Sequence, residues 1–194
     1  MVELRGSSTT TAVRCGWADS TPEYVGYHDE EWGAALHGDR ALFERVSLEA
    51  FQSGLSWLII LRKRPAFRQA FADFDLDTVA AYTEADVERL LTDAGIVRNR
   101  AKIEATIGNA RAVLDNVPEG FDDLLWSFAP ATHVRPKTLQ DVASTSPESI
   151  AMAKELKRRG LRFVGPTTAY ALMQATGIVD DHIVTCWRAR SPGK

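Results

Sequence analysis

Gly160-Leu-Arg-Phe-Val-Gly165-Pro-Thr-Thr-Ala169 lies between two segments of helical apolar period, Glu148 to Arg159 before it and Pro166 to Thr176 after it. The glycines punctuate a tight turn. Pro166 suits the first position of a following helix, where its missing N–H is no loss. Two helices joined in this way leave the free N–H groups and the positive dipole end of the second helix pointing outward, where they can hold a phosphate. Such a contact grips a nucleic-acid backbone without reading its sequence. Taken alone, the stretch reads equally well as an ordinary helix–turn–helix corner.

Outward from this turn the period stays helical. Apolar residues recur from Leu42 to Leu61 at Phe43, Val46, Leu48, Phe51, Leu55 and Leu58, which predicts one long helix stopping before Pro65. Further helices are expected over Pro65 to Phe74, Thr78 to Tyr82, and Glu84 to Ala94, with Gly95 as a stop. Asn99 to Asn116 reads as a long amphipathic helix ended by Pro118-Glu119-Gly120, followed by Phe121 to Phe128 with Trp126 as a core residue. Pro130, Pro136 and Pro147 mark residues 129–147 as an irregular connection, and a terminal helix is expected from Asp181. No stretch alternates as a strand would, and no repeat or low-complexity tract is present. The fold class expected is all-α.

The chain has 194 residues, 45% hydrophobic and 25% charged, which is the composition of an ordinary globular protein. No apolar run reaches the roughly 20 residues needed to cross a bilayer. The N-terminus lacks the charged-then-apolar layout of a secretory signal. The expected organisation is a disordered lead-in at 1–13, one helical domain of two lobes at 14–188 and a flexible tail at 189–194, in a cytoplasmic monomer. A net charge of −3 gives no global sign of a nucleic-acid partner. Three local basic clusters stand against it: Arg62 to Arg64, then Arg98, Arg100 and Lys102, then Lys154, Lys157 to Arg159 and Arg162. Solvated helix faces are the plainer reading of such clusters.

The only cysteines are Cys15 and Cys186, too few for an iron–sulfur cluster held by four cysteines of one chain. His182 and Cys186 are four apart, which on a helix puts both on one face. Cys15 and His28 form a second pair near the other end. Together they make a Cys₂His₂ set suited to tetrahedral zinc with no open position, a structural site tying the two ends together. The alternative is two small buried cysteines with hydrogen-bonded histidines.

The hairpin resembles the helix-hairpin-helix of the base-excision glycosylase superfamily, whose usual turn reads Pro-Gly-x-Gly-x-x-Thr-Ala. Phe163 stands where the first glycine is expected. The resemblance implies DNA contacts from Phe163, Val164, Gly165, Thr167 and Thr168. Superfamily members that also cut the strand carry a lysine at the position of Thr167, so this chain is expected to remove a base and leave the strand intact. Val179-Asp180-Asp181-His182 fits the superfamily's aspartate context, so Asp180 is a candidate to stabilise a cationic sugar. Its plainer role is an N-cap for the terminal helix.

Longer blocks narrow the resemblance. Arg14-Cys-Gly-Trp17, Tyr24-x-x-Tyr27-His-Asp-x-Glu-Trp-Gly33 and Leu48-Glu-Ala-Phe-Gln-Ser-Gly-Leu-Ser-Trp57 resemble the signature blocks of the DNA-3-methyladenine glycosylase I family. Asp93-Ala-Gly-Ile-Val-Arg98, Ile107-Gly-Asn-Ala-Arg111, Trp126-Ser-Phe128, Phe163-Val-Gly165 and Asp181-His182 agree, in order, over roughly residues 13 to 188. Ala50 stands where the family often has glycine. The resemblance implies that Cys15, His28, His182 and Cys186 bind one structural zinc ion. It also implies that Trp17, Tyr24, Tyr27, Trp32, Glu49 and Trp57 build a pocket for a base flipped out of alkylated double-stranded DNA.

These residue types suit that chemistry. Aromatic walls replace the stacking a flipped base loses. A purine methylated at N3 is a cation, attracted to the faces of Trp57, Tyr24 and Tyr27. Glu49 is an acceptor for the exocyclic amino group and a countercharge, and is taken as the catalytic residue. Leu55 is a candidate wedge for the gap left in the duplex. The aromatic residues read on their own also fit a closed core.

Overall fold

The run from Leu42 to Leu61 is broken in two. In the computed structural model, which describes residues 12–190, α1 covers Pro22–Glu30, α2 Asp39–Gln52 and α3 Trp57–Ala70. Between α2 and α3, Ser53 has φ −47° and ψ 116°, Gly54 has φ +83°, and the Leu55 N–H donates to the Gln52 carbonyl at 2.6 Å. This is a type II turn, which needs a positive φ at its third residue and finds it at a glycine. One glycine therefore outweighs an otherwise continuous helical period.

Two further expectations are corrected nearby. Pro65 does not end a helix but lies inside α3, on its exposed side. The helix expected over Pro65 to Phe74 gives way after Ala70 to a left-handed turn, with φ of +50°, +51° and +58° at Ala72, Asp73 and Phe74. The strain is offset by burial, since Phe71 and Phe74 are fully buried and stacked at 5.5 Å.

The remaining helices are α4 Leu76–Ala80, α5 Glu84–Thr92, α6 Arg100–Asn116, α7 Phe121–Trp126, α8 Pro147–Arg158 and α9 Pro166–Ala175. Their starts follow local chemistry. Asn99 accepts from the Lys102 N–H, Thr83 with Asp86 and Ser146 with Ser149 form capping boxes, and proline opens α8 and α9. The helix α1 was not anticipated, although Thr21-Pro22-Glu23 carries its signal: Thr21 caps Tyr24 N–H at 3.3 Å and proline sits in the first turn. No strand occurs among the described residues.

α2 is central, packing on α3, α7 and α9, while α6 packs on α4 and α5, and α8 on α9. Phe43, Phe51, Phe67, Ile103, Leu125, Met152 and Leu172, all fully buried, fill the space between. No helix is long and apolar enough to cross a membrane among the described residues.

The terminal helix expected from Asp181 is absent: residues 180–186 are irregular and only a 3-10 turn, Trp187–Arg190, follows. The backbone there bonds to other parts of the chain instead. Val184 N–H donates to the Pro136 carbonyl at 3.1 Å and Trp187 N–H to Val13 at 2.8 Å. Asp180 accepts from His182 N–H at 3.1 Å, a local turn rather than a helix cap. Of the expected tails, residues 1–11 and 191–194 lie outside the described residues. Val13 is held by the Trp187 bond, and the Ala189 carbonyl accepts from Arg135 at 2.6 Å.

Candidate active site and metal centre

α1, α2, α3, α9 and the 129–146 connection enclose a cavity of about 470 Å³, lined by all six residues expected there: Trp17, Tyr24, Tyr27, Trp32, Glu49 and Trp57. Tyr24 and Tyr27, three apart on α1, share one face. Each ring is fixed by its hydroxyl. Tyr24 Oη accepts from Leu58 N–H at 3.0 Å, satisfying a free donor at the start of α3, and Tyr27 Oη accepts from Arg45 at 2.9 Å. Trp17 meets Tyr24 and Trp32 edge-on at 5.6 and 5.2 Å, and Trp57 lies against Tyr27 at 5.4 Å.

Glu49 reaches this cavity from the apolar face of α2 and is only 5% exposed. No hydrogen bond from another described residue supports its carboxylate. Burial pushes its pKa up to about 7, with the Arg45 charge opposing. The Arg45 guanidinium lies 5.4 Å from the Tyr27 ring centre and 5.5 Å from that of Trp57. Its charge is answered by Glu31 at 3.3 Å, and Glu31 also accepts from Arg64 at 2.5 and 2.7 Å.

The cavity has a second wall that the sequence did not reveal: Gln52, Leu139, Val142, Ala171, Gln174, Ala175 and Asp181. Gln52, three residues after Glu49 on the same helix, and Asp181, within the Asp181-His182 block, carried a signal, but neither was assigned to the cavity. Asp181, 3% exposed, accepts from His133 Nε2 at 2.7 Å, Tyr170 Oη at 2.8 Å and Gln174 Nε2 at 2.7 Å. Asp180 is not among the lining residues and is held by Arg135.

Behind the aromatic wall, Cys15, His28, His182 and Cys186 are all buried, with one ligand atom from each within 4.8 Å of the others. Cys186 Sγ lies 3.4 Å from His28 Nε2 and 3.6 Å from His182 Nδ1, and Cys15 Sγ lies 3.7 Å from His182 Nδ1. The opposite ring nitrogens are oriented from outside. His28 Nδ1 bonds Asp29 at 2.8 Å, and His182 Nε2 donates to the Trp32 carbonyl at 3.1 Å. Asp29 is in turn held by Arg14 and by Trp187 Nε1, and the Arg14 hydrogen bonds keep it well below the usual carboxylate range. Burial pulls His182 down to about 4, with His28 adding to the effect, so its imidazole is neutral at neutral pH. This group could hold a metal ion. Gly33 makes room for it: its φ is +75° and a Cβ there would fall 2.9 Å from His182 Nε2.

The metal group and the cavity share a wall. Trp17 packs on His28 at 5.3 Å and Trp32 on His182 at 4.7 Å, both edge-on. The helical geometry expected for His182 and Cys186 is replaced by the turn in which Cys186 N–H donates to Ile183 at 2.8 Å. The four ligand types converge all the same.

The hairpin is exposed at Phe163, Gly165 and Thr167, and Phe163 holds φ +60°, the left-handed conformation the missing glycine would have taken. Asn109 clamps the turn through both Arg162 N–H and the Arg162 carbonyl, at 2.8 and 3.1 Å. Thr167 and Thr168 lie in the first turn of α9, where N–H groups have no intrahelical partner. Val164 is buried, so its side chain anchors the turn. Leu55 is 37% exposed at the α2–α3 turn. Many of the basic residues are neutralised: Arg158 and Arg159 by Glu155, Arg100 by Glu84 and Glu88, Arg62 by Glu23.

A helical chain that joins an exposed hairpin to an aromatic cavity with two buried carboxylates, Glu49 and Asp181, is of the DNA glycosylase class. Comparison gives its family: residues 17–189 match the methyladenine glycosylase profile, and the chain belongs to that family. It is 47% identical over 179 residues to DNA-3-methyladenine glycosylase 1 of Escherichia coli K12, covering 89% of this chain and 95% of that one. A crystal structure of 3-methyladenine DNA glycosylase I superposes with a TM-score of 0.86 at 45% identity, covering 90% of this chain and 98% of the other. The Staphylococcus aureus enzyme, solved to define its recognition of 3-methyladenine, gives 0.87 at 33% identity over 93% of this chain and 98% of its own.

Proposed function

We infer that the protein is a monofunctional DNA N-glycosylase that flips 3-methyladenine out of alkylated duplex DNA and hydrolyses its glycosidic bond in base-excision repair. The observation that carries this is Glu49, a buried carboxylate facing an aromatic cavity with no hydrogen bond from another described residue, in a chain of the methyladenine glycosylase family. A relative 32% identical has been solved in complex with 3-methyladenine.

The rings of Tyr24, Tyr27, Trp17, Trp32 and Trp57 take the place of neighbouring bases around a flipped purine. A base methylated at N3 enters as a cation, and its charge favours the ionised form of Glu49. Glu49 then accepts from the exocyclic amino group and balances the charge. As the C1′–N9 bond breaks, its electron pair neutralises the base. Departure is therefore easy without a strong acid, and a water adds to C1′ to leave an abasic site. Leu55 fills the gap in the duplex. The backbone N–H groups of Phe163, Val164, Gly165, Thr167 and Thr168 hold the phosphates, and Thr167 supplies no amine for strand cleavage.

Zinc fits the Cys₂His₂ group. A tetrahedron with Zn–S of about 2.3 Å and Zn–N of about 2.0 Å has S···N edges of about 3.5 Å, close to the 3.4–3.7 Å separations here. Cys15, His28, His182 and Cys186 would hold it, and four protein ligands make it a structural crosslink. Because Trp17 and Trp32 pack on its histidines, that crosslink also steadies the base pocket. The reading is of one domain over residues 14–188, acting as a monomer on chromosomal DNA in the cytoplasm.

The test is incubation of methylated duplex DNA with purified protein. Free 3-methyladenine should appear while the strand stays whole until alkali is added. Nicking before alkali would overturn the hydrolytic reading, and absence of released base would overturn the enzyme.

A further inference from the structure

Lys102 is a buried cation that the excision chemistry does not use. It stands in the first turn of α6, where the helix dipole disfavours positive charge, and it is only 9% exposed. Burial also pulls its pKa below the ordinary lysine value. Its Nζ donates to the Phe51 carbonyl at 2.8 Å and to the Ser53 carbonyl at 2.6 Å, at the C-terminal end of α2 and in the turn that follows it.

These two acceptors have particular positions. Phe51 lies in the last turn of α2, where carbonyls lack intrahelical partners and a cation meets the negative end of the dipole. The Ser53 carbonyl belongs to the central peptide of the type II turn at 52–55. Types I and II differ by a flip of that peptide, which carries ψ at the second residue from about +120° to about −30°. A bond to its oxygen from outside the turn opposes the flip. Gly54, at φ +83°, admits the type II form from within.

The same turn joins the two parts of the site. Glu49 and Gln52, before it, and Trp57, after it, line the cavity, while residues 53–56 are exposed and Leu55 stands out at their centre. We propose that Lys102 is a positioning residue for the 53–56 turn, holding it in the type II form that presents Leu55 to the gap in the duplex. The proposal rests on the reading of Leu55 as the wedge. Lys102 touches neither base nor sugar. Its ammonium donates to two carbonyls, so it does not serve as a nucleophile.

The test compares Lys102→Met, Gly54→Ala and Leu55→Ala with the unaltered protein in three assays. These are single-turnover excision from methylated duplex, excision from the same DNA as a single strand, and binding of free 3-methyladenine followed by tryptophan fluorescence. Lys102→Met keeps the stem and removes the charge. Gly54→Ala disfavours the type II form through its φ of +83° alone, without adding a clash, because a Cβ there meets nothing within 4 Å.

Both variants should slow duplex excision by about tenfold, the effect of one lost charge-assisted hydrogen bond. They should slow single-strand excision less and leave free-base binding unchanged. Combining them should cost little more than either alone. Equal losses in all three assays would make Lys102 a structural staple and overturn the proposal. So would a duplex-specific loss in Leu55→Ala without one in Lys102→Met. No duplex-specific loss in Leu55→Ala would overturn the wedge reading and the proposal with it. A borohydride-trapped DNA adduct on Lys102 would replace positioning by covalent chemistry. If Lys102→Met does not fold, Lys102→Gln, which removes the charge and keeps a polar end, carries the same comparison.

Discussion

Glu49→Gln should stabilise the protein while it weakens excision, and the gain should depend on pH. Glu49 is buried with no described hydrogen-bond partner, and burial moves its pKa from an ordinary 4.5 to about 7. Because the folded chain holds that proton more tightly than the unfolded chain, stability falls as pH rises between those values and then levels off. At about 1.36 kcal/mol per pH unit, the full effect is roughly 3 kcal/mol. Glutamine keeps the shape and does not ionise, so it removes this loss. Urea unfolding of metal-loaded protein and variant, compared at pH 5 and pH 8, isolates the effect because other titrating groups are common to both. The variant's advantage should grow by roughly 2–3 kcal/mol between the two pH values, as its excision rate drops. A stability difference that does not change with pH, or one favouring the unaltered protein at pH 8, would refute the argument that Glu49 is held as a costly, unpaired charge.

Other expectations follow from close contacts. At Gly177, φ is +74° and a Cβ would fall 2.8 Å from the backbone of Ala34 and Ala35. Gly177→Ala should therefore cost on the order of 2–3 kcal/mol in urea unfolding. Asp29 orients His28, so Asp29→Asn should lower metal affinity about 10–100-fold in chelator competition, whereas an unchanged affinity would remove Asp29 from the metal's support. Asp180 is taken up by Arg135 and the His182 N–H. Asp180→Asn should thus leave single-turnover excision near its original rate, and a severe loss would show Asp180 acting on the sugar.

Much of this was legible in the sequence because local chemistry decides it. α6, α8 and α9 begin at Arg100, Pro147 and Pro166, each within a residue of its expected start, since caps and prolines act over one turn. The break at Gly54 was hidden because the apolar period runs through it, and the bond that reaches the exposed turn from outside comes from Lys102, far away in sequence. Residues 180–187 defeated the helical expectation because Val184 and Trp187 donate to Pro136 and Val13, which lie far away in sequence. The metal ligands were legible as types, though their convergence depends on tertiary bonds. The first wall of the cavity was read from family blocks. The second, with Asp181, Gln174, Leu139 and Val142, was not, because α9 and the 129–146 connection reach it only through the fold.

The most direct test of the central claim is chromatography of the bases released from duplex DNA treated with a methylating agent. Such DNA carries both 3-methyladenine and 7-methylguanine, two cationic purines of which only the first bears a six-amino group. A pocket that reads charge through its aromatic walls and the amino group through Glu49 should release 3-methyladenine and leave 7-methylguanine in place, with the release strongly reduced in Glu49→Gln. Comparable release of both bases, or an unchanged rate in Glu49→Gln, would contradict the role given to Glu49 and to the cavity built around it.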